Sequence, residues 1–482
     1  MANDASGSTS YDLVILGGGS AGYACALRAA ELGNSVALIE KDKLGGTCLH
    51  YGCIPTKALL HAAEVADSAR DAAQFGVTAT LDGIDVKAVH KYKDGVVSRL
   101  YKGVQGLLNA RQVTIVEGTG RLVAPNAVEV GGTRYEGRHV VLATGAYAKT
   151  LPGLELDGER VISSNEALTL DRVPSSVVVL GGGIVGVEFA SAWRSFGAEV
   201  TIVEALPRLL PAEDEASSKA LERAFRKRGI GFTTKTPFKE VEHVDGGVRV
   251  TLEGGKTVEA ELLLVAVGRG PVTEGLGYDD VGIRMDRGFV PTDERLRTNV
   301  PGVYAVGDIV PGFQLAHRGF QQGIFVAEDI AGLSPVPFDE AGIPRVTYCD
   351  PEVASVGLTE AQAVERYGPD AIETFRYDLA GNGKSQILRT QGFAKLVRHK
   401  NGGQAAGGVA GVGGVGGMDG PVVGVHLVGA RVGELISEAQ LIYNWEALPA
   451  EVAQLVHPHP TQSEAIGEAH LALAGKPLHA HG

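Results

Sequence analysis

YDLVILGGGSAGYACALRAAELGNSVALIEKD, Tyr11 to Asp42, decides how the rest of the chain is read. An apolar run, Leu13 to Leu16, meets Gly17, Gly19 and Gly22. An Ala-rich helical pattern follows, broken at Gly33, and a second apolar run ends on Glu40. Strand, glycine turn, helix, strand and acid, in that order, form a dinucleotide fingerprint. Gly17 permits the tight turn, Gly19 lets backbone meet a pyrophosphate, Gly22 lets helix and strand pack closely, and Glu40 can accept from a ribose hydroxyl. An ordinary buried strand needs neither the glycines nor the acid. Cys25, among Ala and Leu of the helix, reads as a small buried hydrophobe.

The unit recurs at SSVVVLGGGIVGVEFASAWRSFGAEVTIVEAL, displaced by 164 residues, so that Gly17, Gly19, Gly22, Gly33 and Glu40 become Gly181, Gly183, Gly186, Gly197 and Glu204. One chain is thus expected to bind two dinucleotides. Glu204 argues for NAD, because a carboxylate suited to a free 2′-hydroxyl repels a 2′-phosphate. Arg208, four residues on, would soften that preference.

Between the two units lies GGTCLHYGCIPTK, Gly45 to Lys57, which leads into the helix-forming run IPTKALLHAAEVA. Cys48 and Cys53 therefore sit at a helix start, where partial positive charge favours a thiolate and depresses its pKa. Such a pair makes a redox couple. The bland readings are a local disulfide or half a zinc site, and no second cysteine pair completes a metal site. Joining a hydride-carrying dinucleotide to a dithiol calls for a flavin between them.

Composition bounds these readings. With 482 residues, the chain accommodates about three domains. Its 67 glycines favour tight turns and close backbone approaches. A net charge of −13 and a pI near 5.5 argue against nucleic acid as a partner. Four cysteines, two in one motif, suit a reducing compartment, here expected to be cytoplasmic. MANDASGSTS lacks a basic flank and an apolar core, and reads as a frayed tail rather than a signal peptide. No apolar stretch is long enough to span a membrane.

Further segments carry weaker signals. GTGRL (Gly118 to Leu122) and VLATGAYAKTLPG (Val141 to Gly153) read as strands ending in glycine turns, and LLLVAVGRGP closes the second unit at Pro271. TNVPGVYAVGD puts Asp308 just after an apolar strand, where it can hydrogen-bond a polyhydroxylated cofactor chain. PRVTYCDPEVASVGLTEAQA offers strands and then a helix, with Cys349 packing alone. From Asn401 to Pro421 the chain is too Gly-rich for a helix or a strict strand, and reads as a surface excursion between KLVRHK and VVGVHLVG. In HPHPTQSEA, prolines rigidify the turn and Glu464 follows His459 by five residues. A carboxylate that fixes an imidazole's tautomer raises its basicity, which makes a poised general base.

Taken together, GGTCLHYGCIPTKALL and HPHPTQSEA make the chain resemble the flavoprotein pyridine nucleotide–disulfide oxidoreductases from Tyr11 to about Leu473. The resemblance implies an α/β fold with two Rossmann-like domains. An FAD domain would occupy 1–153 and 273–342, an inserted NAD domain 154–272, and a C-terminal α+β dimerisation domain 343–482, with the Gly-rich insertion at 401–421. It implies a homodimer in which Cys53 lies against the flavin, Cys48 faces the thiol substrate, and His459, held by Glu464, reaches the dithiol of the opposite subunit. Lys57 would sit by the flavin and pair with Glu188. Asp308 would hold the ribityl chain, with Gly120, Thr144, Gly145 and Ala316 lining the FAD site and Gly268 joining Glu188 and Glu204 at NAD. The implied substrate is a dihydrolipoyl group on a lipoyl domain or acyltransferase core of a 2-oxoacid dehydrogenase or glycine cleavage complex. Alternatives are a reductase of another low-molecular-weight disulfide, or a mainly structural subunit of such a complex. His50, Tyr51 and Gly270 depart from the family pattern. The first two add bulk beside the dithiol that would alter substrate access. His61 reads as a surface or packed residue, and His457, His470, His479 and His481 receive no role.

Overall fold

The computed structural model describes residues 8–400 and 420–480. The chain divides into two compact units, Met1–Val173 with Leu264–Phe338, and Pro174–Leu263 with Asp339–Gly482. All but the last two residues of the 401–421 stretch, and His481, lie outside the described residues.

In the first unit, β1 (Ser8–Leu16), α1 (Ser20–Glu31) and β2 (Val36–Glu40) follow the first glycine fingerprint. Leu13, Val14 and Ile15 are wholly buried, as a central strand covered on both faces requires. Strands β3 (Thr114–Glu117), β4 (Gly120–Ala124), β5 (Ala127–Val130) and β6 (Thr133–Leu142) complete a sheet ordered β3-β2-β1-β6-β5-β4, to which the returning strand Val303–Ala305 adds beside β6. The polar residues Ser8, Thr9 and Ser10, expected to fray, instead extend β1 in parallel register with Arg134, Tyr135 and Glu136 of β6. Ladder hydrogen bonds come from backbone and do not require apolar side chains.

Helices α2 (Gly46–Tyr51), α3 (Cys53–Asp71) and α4 (Val86–Ala110) follow β2, and Asp85 caps α4 by accepting from Ala88 N at 3.0 Å. Helix Ala316–Ile330 packs tightly on α1. A Cβ on its Gly323 would lie 2.3 Å from the Ala21 carbonyl oxygen, so only glycine permits the approach. Gly307, just before Asp308, also abuts Ala21. That contact brings the Asp308 turn to the N-terminal end of α1.

In the second unit, β7 (Ser176–Leu180), α5 (Ile184–Phe196) and β8 (Glu199–Val203) repeat the fingerprint, with α6 (Glu215–Arg228) leading to β9 (Gly231–Thr233) beside β8. The C-terminal part is an antiparallel sheet of β10 (Arg345–Thr347), β11 (Glu352–Gly357), β12 (Ile372–Asp378), β13 (Phe393–His399) and β14 (Val422–Gly429), ordered β10-β11-β14-β13-β12. Helices α7 (Val432–Asn444) and α8 (Glu464–Leu473) bury Ile436, Ala439, Ile466 and Ala469 with Leu396 and Val425 of the sheet. Buried pairs Arg345–Glu213, at 3.1 Å, and Lys395–Asp214, at 2.8 Å, tie this sheet to the turn before α6.

The breaks between the two units follow Val173, Leu263 and Phe338 for local reasons. Residues beyond 153 stay with the first unit because His90 and Lys93 of α4 bond the carbonyls of Leu170 and Leu168 at 2.8 and 2.7 Å. Arg269–Pro271 stays there too, pairing with Ala146–Ala148. Asp339 joins the second unit through the Tyr443 hydroxyl, 2.8 Å away. Among the described residues, no helix is long and apolar enough to cross a membrane.

Candidate active site

Both glycine turns are closed by backbone contact rather than by side chains. A Cβ on Gly22 would fall 1.8 Å from Gly17 O, and one on Gly186 would fall 2.0 Å from Gly181 O. Gly19 and Gly183, which cap α1 and α5, behave differently: a Cβ there meets nothing within 4 Å. Open space at a helix N-terminus, with amide hydrogens facing it, fits a dinucleotide pyrophosphate. The acids brace the turns. Glu40 accepts from Gly18 N at 2.7 Å and Asp42 N at 2.8 Å. Glu204 accepts from Gly182 N and Leu206 N at 2.6 and 2.7 Å, the same bonds displaced by 164 residues. The Arg208 guanidinium turns to the carbonyls of Pro211 and Glu213, at 3.1 and 3.3 Å, so its charge serves its own loop.

The dithiol segment is fastened to the first of these turns. Gly45 N donates to Gly18 O at 2.8 Å, Gly45 and Gly19 form a parallel bridge, and a Cβ on Gly46 would lie 2.8 Å from Gly19 Cα. Cys48 lies within α2 and Cys53 is the first residue of α3. No disulfide joins them here, and both thiols are half-buried. A depressed pKa is expected for a thiol at a helix start, yet Cys48 moves the other way. Its hydrogen bond with Cys53, its burial and the Cys53 charge raise it, and together they outweigh the pull of Lys57. Two sulfurs this close share one negative charge more readily than they carry two.

The bulk of His50 and Tyr51 is turned to anchoring the segment. His50 Nε2 bonds Leu44 O at 2.9 Å and its ring meets Tyr101 edge-on at 5.1 Å. The Tyr51 hydroxyl donates to Asp42 at 2.7 Å.

Around the same turn, Asp308 is half-buried, and that desolvation raises its carboxyl despite the opposing charges of Arg269 and Arg318. Arg269 is a neighbour of the dithiol that no local sequence pattern marks. Burial lowers its pKa while Asp308 and Cys53 raise it, Nη2 donates to Ala146 O at 2.7 Å, and Nε is buried without a partner. An orphaned donor and a half-buried, desolvated carboxyl make a donor set that suits a polar cofactor. Thr144 Oγ1 bonds Val272 O at 2.5 Å and the Tyr278 hydroxyl at 3.0 Å, and Gly145 has φ +76° with open space beyond it. Ala316 opens its helix. Gly120 is tightly packed: a Cβ there would lie 2.6 Å from the Leu16 side chain.

Glu188 is buried on α5 and accepts from Tyr348 N at 2.9 Å. Gly268, at φ +105°, faces open space. His61 pairs with Glu64 on the surface, and Cys25 and Cys349 are buried, which pushes their thiols up. Among the described residues, no cluster of three His, Cys, Asp or Glu could hold a metal.

In the second unit, His459 Nδ1 lies 2.8 Å from Glu464 Oε1, and Glu464 Oε2 accepts from Thr461 N at 2.7 Å. Burial would raise the Glu464 carboxyl, but these two partners hold it below its ordinary value. The His459 side chain is 77% exposed, presented outward while its base is fixed. Nearby, buried His470 bonds Ile466 O through Nδ1 at 2.6 Å, leaves Nε2 without a partner, and is pushed by burial from 6.5 to about 4. A histidine whose folded pKa is depressed contributes stability that is present above 6.5 and lost as pH falls toward 4. That loss amounts to roughly 3 kcal/mol. Thermal midpoints should therefore drop from pH 7 to pH 4.5, and His470→Leu should flatten the drop; an unchanged acid slope in the variant would contradict it.

Comparison with known proteins places this geometry. A family model described as pyridine nucleotide-disulphide oxidoreductase matches residues 11–323, and its dimerisation domain matches 343–418 and 415–470. The chain is 39% identical to a dihydrolipoyl dehydrogenase of Bacillus subtilis over 98% of this chain and 99% of that one. It is 38% identical to the mitochondrial dihydrolipoyl dehydrogenase of Pisum sativum, over 98% and 94%. Among solved structures, LpdA of Mycobacterium tuberculosis superposes with a TM-score of 0.86 at 27% identity, covering 96% of this chain and 99% of that one. Two glycine turns, a dithiol fastened to the first, and an antiparallel C-terminal sheet agree with these matches: the chain belongs to the pyridine nucleotide-disulphide oxidoreductase family.

Proposed function

We propose that the chain is a dihydrolipoyl dehydrogenase, an FAD-containing enzyme that oxidises protein-bound dihydrolipoyl groups and reduces NAD. The observation that carries the reading is the attachment of Gly45 to Gly18, which sets the Cys48–Cys53 segment against the turn suited to a dinucleotide pyrophosphate.

In the oxidised enzyme Cys48 and Cys53 form a disulfide. His459 takes the proton of a substrate thiol, and the resulting thiolate attacks Cys48 sulfur, breaking the Cys48–Cys53 bond and leaving the Cys53 thiolate. The second substrate sulfur then attacks the first, breaking its bond to Cys48; Cys48 leaves with the second thiol's proton, the cyclic disulfide is released, and His459 gives up its proton to solvent. Direction in such an exchange is set by modest differences in potential, about 30 mV per tenfold change in equilibrium. Bound FAD supplies the two-electron link from this dithiol to NAD. Gly17, Gly19, Gly22, Glu40, Lys57, Gly120, Thr144, Gly145, Asp308, Ala316 and Arg269 would hold FAD. Gly181, Gly183, Gly186, Glu188, Glu204 and Gly268 would hold NAD.

Homodimerisation is part of the reading, because His459 is proposed to serve the dithiol of the opposite copy. So are docking to the lipoyl domains of a 2-oxoacid dehydrogenase or glycine cleavage complex and a cytoplasmic location. The test compares NAD reduction by dihydrolipoamide with NADPH oxidation by glutathione disulfide. Like-charge repulsion at Glu204 should favour NAD by about 10²-fold in kcat/KM. Faster turnover with NADPH and glutathione disulfide would overturn the reading in favour of a disulfide reductase.

A further inference from the structure

The histidine two residues before His459 has a carboxylate partner of its own. His457 Nε2 lies 2.8 Å from Glu438 Oε1 on α7, and its side chain is only 12% exposed, against 77% for His459. On its other side the ring rests on the backbone of α8. A Cβ added to Gly467 would lie 2.5 Å from His457 Nδ1 and 2.8 Å from its Cε1. Gly467 lies three residues, just under one helical turn, past Glu464, so the ring is seated on the same helix that carries the carboxylate bonded to His459.

The loop is pinned again beyond His459. Asn382 Nδ2 donates to Thr461 O at 2.9 Å, and Thr461 N donates to Glu464 at 2.7 Å. His459 is thus the exposed member of a segment held at both ends, with His457 as the forward anchor. The charged and titratable groups around that anchor are Glu438 on α7, with Glu464 and His470 on α8. The bond to Glu438 raises His457, with burial opposing it.

We propose that Glu438 and His457 are positioning residues for the thiol chemistry. The His457 ring, seated between Glu438 of α7 and the backbone of α8 at Gly467, fixes the loop so that His459 meets Glu464 while still facing outward. The proposal rests on the reading of His459 as the base that serves the dithiol. Partners of this kind act through the group they orient, and their loss costs about 10- to 100-fold. A glutamine at 438 keeps an oxygen that accepts the same hydrogen bond, whereas alanine removes it. An alanine at 467 leaves Glu438 intact and pushes the ring off the helix.

The experiment measures two reactions of the FAD-loaded enzyme: rapid-mixing reduction by dihydrolipoamide, and NADH-driven reduction of a dye, which bypasses the base. Glu438→Ala and Gly467→Ala should each slow the first by about 10-fold or more and leave the second within about twofold, while Glu438→Gln should recover most of the first. Equal losses in both reactions, or no loss in the first, would overturn the proposal. So would failure of Glu438→Gln to recover. His459→Gln, measured alongside, separates the two levels of inference. If it leaves dihydrolipoamide reduction intact, the base assignment itself fails. If it slows that reaction while the Glu438 and Gly467 variants do not, only the positioning role fails.

Discussion

Replacing Cys53 by serine should abolish dihydrolipoamide-dependent NAD reduction, by at least about 10³-fold, because a serine oxygen at the start of α3 can neither form the disulfide nor leave as a thiolate. FAD should remain bound in full. The groups proposed to hold it are the glycine turn at Gly19, the half-buried Asp308 and the Arg269 Nε donor, and none of these is an atom of the Cys53 side chain. The check is flavin absorbance of the purified variant alongside its lipoamide turnover. Undiminished turnover would refute the relay, and loss of flavin would show that Cys53 also shapes the cofactor site.

The second large effect falls on the imidazole. His459→Gln should slow reduction of the enzyme by dihydrolipoamide by about 10²- to 10⁴-fold, the range over which a positioned proton acceptor contributes. NADH-driven dye reduction should be retained, since His459 is exposed, is bonded to Glu464, and is not among the groups proposed to hold FAD or NAD. Glu464 stays ionised because Thr461 N and the imidazole hold its carboxyl down, so the ring's other nitrogen is left free to take a proton. Equal loss in both assays would remove His459 from the role of base.

These expectations use features with different legibility in the sequence. The two fingerprints were readable because a glycine turn is a local device. Gly22 contacts Gly17 and Glu40 braces Gly18 within one strand-helix-strand unit, and the second unit repeats the bonds 164 residues later. The His459–Glu464 pair spans five positions and was readable for the same reason. Features that depend on distant partners were not. Glu438 is nineteen residues from His457 and looks like any acid on an amphipathic helix. Arg269 meets Asp308 and Cys53 only through the tertiary fold. The Cys48 shift is not legible either, because the helix dipole is local, while the Cys53 hydrogen bond and burial that oppose it depend on how α2 packs. The close packing of Gly120 against Leu16 likewise depends on a partner more than a hundred positions away.

The central claim is that the dithiol of one copy works with the imidazole of the other. A heterodimer carrying Cys53→Ser in one copy and His459→Gln in its partner tests it most directly. Crossed pairing leaves one site with both groups intact, so the account predicts about half of wild-type dihydrolipoamide turnover, and none when both substitutions sit in the same copy beside a wild-type partner. An inactive crossed heterodimer together with an active same-copy one would contradict it.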